Sequence, residues 1–225
     1  MKRHFDDELK KLNTDLLKMA TLTEEAISKS VDALKKRDKD EAQAVIDSDN
    51  RIDELELNIE ETAIGLLALQ QPMAVDLRFI TTGMKINAEL ERIADLAVNI
   101  SQRVMDLADQ PLLKPLIDIP KLSDVARSMV KEAIDAFVNH DEQLAKKVIL
   151  SDPKADKLRN LIYDEIINDY IVKDGRCAPR AIPLILISRH LERICDHATN
   201  IAEDVIYMVQ AKITKHHPEA LKNEK

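Results

Sequence analysis

Three glycines, no tryptophan and only 3% aromatic residues in 225 positions leave this chain without the turn chemistry of a many-stranded sheet. Three isolated glycines also cannot form a glycine-rich phosphate cradle, and neither nucleotide-binding glycine signatures nor a nucleophile elbow occurs. Two cysteines, Cys177 and Cys195, are too few for a secreted disulfide framework and are expected to be reduced thiols. No apolar run approaches the roughly 20 residues that cross a bilayer. The longest candidate, Ile182 to Ile187, is far shorter. The opening MKRHFDDELKKL has no signal-peptide hydrophobic stretch. Positive charge is not in excess either. A net charge of −8 argues against nucleic acid and against a polybasic membrane anchor. A soluble, cytoplasmic protein, not inserted in a membrane, is the expectation.

What remains is 45% hydrophobic and 33% charged, the composition of a long-helix protein. The expected fold is all-α. Prolines and caps divide the chain into six helices. The first runs from near Asp6 to the KKRDKD stretch, the second from about Asp38 to Gln71-Pro72, and the third from near Ala74 to Pro111. PLLKPLIDIP, with Pro111, Pro115 and Pro120, cannot continue a helix and reads as a linker over 111–120. The fourth helix spans about Lys121 to His140, and the fifth begins at Asp141 and breaks at Lys173-Asp174-Gly175. The sixth starts near Pro179, where a first-turn proline is tolerated, and reaches about His216, ahead of a polar tail over 217–225.

The halves repeat one another. INAELERIADLAVNI (86–100) and ISRHLERICDHATNI (187–201) agree at nine of fifteen positions, 101 residues apart. Ile86, Leu90, Ile93, Ala97, Ile100 and Val104 match Ile187, Leu191, Ile194, Ala198, Ile201 and Val205, one buried helical stripe in each copy. Ala33, Asp38, Ala42, Val45, Ile46, Ser48, Asp49 and Asp53 recur 103 residues later as Ala136, Asp141, Ala145, Val148, Ile149, Ser151, Asp152 and Asp156. The change from 103 to 101 places a two-residue length difference around the second connection. Residues 1–110 and 121–216 therefore read as two tandem three-helix bundles related by a pseudo-two-fold, with antiparallel neighbours.

Four acidic pairs share an i,i+4 spacing: Asp49/Asp53 and Asp152/Asp156 on the second helices, Glu91/Asp95 and Glu192/Asp196 on the third. Each pair presents two carboxylates on one helix face, mildly destabilising an isolated helix. Asp49 also interrupts the apolar stripe of Ala42, Val45, Ile52 and Ile59, and an acid on a packing face needs a partner. Hard divalent or trivalent cations take carboxylate oxygens, so two helices could surround an ion or small cluster. Asn99 and Asn200 continue the rows and could add amide oxygens; Glu203 and Asp204 extend the second row. Alternatives stand beside this reading. The rows could be solvated polar flanks, or Arg92 and Arg193 could neutralise acids on neighbouring helices. His190 and His197, without counterparts in the first copy, read as surface or packing residues, and Met19, Met84, Met105, Met129 and Met208 as packing residues.

LERIADLAVNI and LERICDHATNIAE in tandem, QPMAVDLR at 71–78 and the proline-rich middle resemble the PhoU family of phosphate transport accessory proteins over essentially the whole chain. The resemblance departs at Ala94 and Cys195, where a glycine is usual; neither change removes a carboxylate. It implies two three-helix bundles, a homodimer, and a regulator that holds down phosphate uptake and the phosphate regulon. Implied partners are the ATPase of the phosphate transporter and a sensor histidine kinase. Implied ions are iron, zinc, manganese or magnesium, held by Asp49, Asp53, Glu91, Asp95, Asp152, Asp156, Glu192 and Asp196. A metal-organised, non-enzymatic adaptor is the leading expectation. A carboxylate-bridged di-metal enzyme is disfavoured because such bundles use Glu-x-x-His pairs and none occurs. A metal-free docking bundle is the third reading.

Overall fold

A computed structural model describes residues 2–211. Six long helices account for nearly all of it: α1 (Lys2–Lys36), α2 (Lys39–Gln70), α3 (Ala74–Leu107), α4 (Asp118–Asn139), α5 (Glu142–Glu165) and α6 (Ala178–Gln210). The expected end of the sixth helix near His216, and the tail beyond it, lie outside the described residues.

The repeat in sequence becomes a repeat in turn geometry. Arg37 and His140, 103 residues apart, both close a helix in the left-handed region, at φ 59° and 53°. The next residues, Asp38 and Asp141, cap α2 and α5, their carboxylates accepting from the amides of Glu41 and Leu144 at 3.0 Å each. An aspartate cap of this kind contributes on the order of 1 kcal/mol. These tight turns reverse the chain and lay α2 against α1, and α5 against α4.

Each half is a three-helix bundle, α1–α3 and α4–α6, and the halves meet through α3 on α6 and α1 on α4. α3 and α6 therefore form the centre, and α2 and α5 the two outer edges. Burial follows the repeated stripes: Ile86, Leu90, Ile93, Ala97 and Ile100 on α3, and their counterparts on α6, are fully enclosed. Ala94 and Cys195 are enclosed as well, which accounts for a small residue there. Both cysteines are buried and free, as expected, and burial pushes the Cys195 thiol well above its ordinary range. Among the described residues no helix is long and apolar enough to cross a membrane.

Polar contacts tie the halves on one side. Lys85 pairs with the buried Asp204 at 3.0 Å, and Arg78 Nε donates to the Met208 carbonyl at 3.0 Å. Glu89 bonds His197 Nδ1 at 2.6 Å and accepts from Asn200 at 3.2 Å. Burial pushes the Glu89 carboxyl up, but the bonds from His197 and Asn200 and the charges of His197 and Arg92 outweigh it and hold the group below its ordinary range.

Two boundaries differ from expectation. The linker ends at Ile117 and not at Pro120, because α4 begins at Asp118. Pro120 is its third residue, where an amide would have no intrahelical acceptor. Lys114 anchors this linker through an ion pair with Glu165, and Arg37 donates to the carbonyls of Ala108 and Gln110. The fifth helix does not run regularly to Lys173: it widens into a π-helical turn over Ile166–Ile171, then a short 3-10 turn over Gly175–Cys177 leads into α6. This stretch lies within the segment, between Asp156 and Ile187, where the offset between repeats falls from 103 to 101. Pro153 and Pro183 are carried inside α5 and α6.

Candidate functional site

The seam between the second and third helix of each repeat brings the paired acids together. In the first repeat Asp49 and Asp53 on α2 face Glu91 and Asp95 on α3. Burial raises the Asp49 carboxyl to about 6, and the charges of Asp53 and Asp95 add to it. Glu91 is raised by burial and by Asp95, Glu56 and Asp53, with Arg92 opposing. Glu56, one turn beyond Asp53 on the same face, is thus a fifth carboxylate of this group. It is raised by burial, Glu60 and Asp53. Among the described residues none of the five forms an ion pair.

The second repeat repeats the arrangement with a change. Asp152 is raised by burial and by Asp156 and Glu192. Burial raises Asp196 to about 6, supported by Glu192, Asp152 and Asp156 and opposed by His197. Here a cation is present. Arg159 Nη2 lies 3.1 Å from Glu192 and 3.8 Å from Asp156. Arg159 shares with Tyr163, Ser188, Arg189, Arg193 and the acids Glu192 and Asp196 an open cleft of about 530 Å³ between α5 and α6.

Eight of the ten residues singled out from sequence are assembled in this way, four in each repeat. The two asparagines are not part of the clusters. Successive i,i+4 steps advance 40° around a helix, so the third member of a row has turned some 80° from the first. Asn200 accordingly points to the inter-repeat seam and donates to Glu89, while Asn99 makes no side-chain hydrogen bond among the described residues. Asp204 faces Lys85 across the same seam. Glu56 was missed: it stands seven residues after Asp49, two helical turns on, and that spacing was the available signal. Among the described residues, no three His, Cys, Asp or Glu side chains stand close enough to hold one ion between them.

Clusters of this kind have a pH signature. A carboxyl raised to about 6 makes the folded protein hold a proton that the unfolded chain has released between about pH 4 and 6. Its folded state is therefore favoured at the acidic side of that window and loses stability as pH rises through it. In metal-free buffer at pH 7.5, Asp49→Asn/Asp196→Asn is expected to melt above the parent. Solvent screening reduces the gain to roughly 1 kcal/mol per site, or about 2–4 °C each. The gap should close as pH falls from 6 toward 4; a gap unchanged across that range in thermal melts would remove the repulsion argument.

The fold and the twinned acidic seams define an all-α protein of two fused three-helix repeats, each presenting one carboxylate cluster. Sequence comparison places that class by family: the PhoU domain model matches residues 16–104 and 119–205, and the chain belongs to the PhoU family. It is 41% identical over 209 residues to a phosphate-specific transport system accessory protein PhoU homolog of Aquifex aeolicus, covering 93% of this chain and 94% of that one. A Xylella fastidiosa homolog of the same description is 33% identical over 210 residues, covering 93% and 88%. The crystal structure of PhoU from Pseudomonas aeruginosa superposes with a TM-score of 0.89 at 35% identity, covering 92% of this chain and 100% of that one. The phosphate transport system regulatory protein PhoU from Streptococcus pneumoniae follows at 0.86 and 30%, covering 93% and 98%.

Proposed function

We propose that this chain is a non-enzymatic regulator of phosphate uptake and a negative regulator of the phosphate regulon. In this reading it is a cytoplasmic homodimer, a metal-binding adaptor between the phosphate transporter and a sensor histidine kinase. The observation that carries the metal part is the first cluster: five mutually repelling carboxylates, with no ion pair to any of them among the described residues. The partners are those of the family resemblance; the relatives' description as phosphate transport accessory and regulatory proteins supports the transporter, and the kinase rests on the resemblance alone.

The donor set suits a hard cation by its chemistry. No three of these side chains stand close enough in the structure to close around one ion, so binding would draw the two rows together. The set is made of oxygen alone, which suits magnesium, manganese or iron better than zinc, whose structural sites favour nitrogen and sulfur. Asp49, Asp53, Glu56, Glu91 and Asp95 would hold it. When bound, the ion would supply positive charge that cancels repulsion between the two rows. The residues' own contribution is to join α2 to α3 and fix the shape of an outer edge of the molecule. A partner state that fits this shape better would then be favoured. Glu-x-x-His pairs, which di-metal oxidation chemistry in bundles uses, are missing from the sequence, so the adaptor reading is preferred over an enzyme.

Elemental analysis of protein purified without chelators or a histidine tag tests this reading. Stoichiometric metal is expected in the parent. Glu91→Ala/Asp95→Ala/Glu192→Ala/Asp196→Ala should lose it and, in cells, release phosphate uptake from control. Regulation retained in the metal-free variant would leave a docking bundle that works through protein contacts alone.

A further inference from the structure

The two clusters are built from equivalent positions, but their charges are not equivalent. Position 56 in the first repeat corresponds to position 159 in the second, by the same 103-residue offset that relates Asp53 to Asp156. A glutamate stands at one and an arginine at the other. Position 88, an alanine, corresponds by the 101-residue offset to Arg189, another residue of the α5–α6 cleft. Both differences move the second cluster toward positive charge. Arg92 and Arg193 are equivalent and cancel from the comparison.

Arg159 is not a passing surface residue. Its guanidinium places Nη2 3.1 Å from Glu192 and 3.8 Å from Asp156, and Nη1 2.7 Å from the Asn160 side-chain oxygen. Nε is buried without a hydrogen-bond partner while the side chain as a whole is 34% exposed, so the guanidinium has its inner edge in the seam and its outer edge toward solvent. Glu192 is only 15% exposed, which makes its pairing with Arg159 the stronger of the two. With Glu192 and Asp156 engaged, two carboxylates remain, Asp152 and Asp196. Hard cations take six or more oxygen ligands, usually several from protein. The second cluster, as a donor set, does not fit a metal ion.

We propose that Arg159 is the resident cation of the second cluster, so that the repeats have divided their roles: an internal guanidinium bridges α5 to α6, while the edge of α2 and α3 depends on an exchangeable ion. The division rests on the metal reading of the first cluster, whereas the role of Arg159 does not. One edge of the molecule is then permanently set, and the other responds to ion supply.

Titration with Mn²⁺, following bound ion by elemental analysis and unfolding by circular dichroism, separates these claims. Glu91→Ala/Asp95→Ala should abolish Mn²⁺ binding by the parent, and Glu192→Ala/Asp196→Ala should leave it unchanged. Arg159→Glu/Arg189→Ala, which recreates the charge pattern of the first repeat at both positions, should add binding of similar stoichiometry in the second. Equal loss from the two alanine pairs would overturn the division. A second variant keeps the Arg159 assignment testable if no chain binds Mn²⁺, a result that would defeat the metal reading alone. In metal-free buffer at pH 7.5, Arg159→Gln should lower the melting temperature by about 3 °C or more, since Glu192 and Asp156 lose their cation. Glu56→Gln, by contrast, should raise it. An Arg159→Gln melting temperature equal to the parent's would overturn the resident-cation assignment.

Discussion

Replacing Lys85 by Met is expected to lower stability by about 2–3 kcal/mol, a fall of roughly 4–12 °C in melting temperature for a chain of this size. Asp204 is the reason. Its side chain is 4% exposed and lies 3.0 Å from the Lys85 ammonium, which crosses from α3 to α6. A buried carboxylate that loses a cation is left with much of its desolvation cost. The full penalty for breaking a buried pair is nearer 3–5 kcal/mol. Lys85 is about half exposed, so solvent shares in the interaction and the lower figure applies. The ammonium also lies 5.4 Å from the Tyr207 ring centroid, an attraction that methionine cannot reproduce. Lys85→Arg should keep most of the stability. In a double-mutant cycle with Asp204→Asn, the second substitution should cost much less once Lys85 is gone. A Lys85→Met melting temperature equal to the parent's would mean that other contacts of the α3–α6 seam carry it.

That ion pair also marks the limit of what the repeat could reveal. Duplication made the buried stripes readable, because the same apolar spacing in two copies leaves little room for another helix face. It also made the acid pairs readable, because the seams within a repeat are built alike. The surface where the repeats meet is different. There the two copies face one another, and positions that correspond need not make equivalent contacts. Lys85 corresponds to Leu186 and Asp204 to Arg103, so the bridge occurs once. Glu89 corresponds to His190, and its partner His197 to Leu96. Read within its own helix, His197 looked like a surface or packing residue, and Asp204 like the end of an acid row. Only the packing of α3 on α6 shows each facing across the seam.

The connections were legible in proportion to their local chemistry. Asp38 and Asp141 announce helix starts because a side-chain oxygen can take an amide hydrogen bond within a few residues. Pro120 suggested an ending when it stands in a beginning, since a proline is compatible with either and the deciding amides belong to α4 as a whole. The π-helical turn at Ile166–Ile171 has no residue signature of its own. It depends on an i→i+5 bonding pattern, which local spacing does not express.

The second large effect lies in the centre of the molecule. Leu90 on α3 and Leu191 on α6 are repeat equivalents, both fully enclosed. Either one changed to Ala removes three buried carbons and leaves a space that long, mutually supported helices cannot close. Such substitutions cost about 2–5 kcal/mol, and a value near 3 would lower the melting temperature by roughly 6–12 °C. How the loss is distributed is the more informative part. If each repeat were an independent bundle, Leu90→Ala would lower the melting of residues 1–110 and leave the second half where it was. The contacts argue otherwise. α3 packs against α1, α2 and α6, and α6 against α4, α5 and α3, so neither repeat keeps its core closed once the other opens. Calorimetry should therefore show one transition for the parent, Leu90→Ala and Leu191→Ala, with both variants displaced as a whole. Two transitions in Leu90→Ala, the upper at the parent's temperature, would mean that the α3–α6 seam only docks finished bundles. One shared transition would make the seam part of a single core, through which an ion bound at the α2 edge can influence the stability of both repeats.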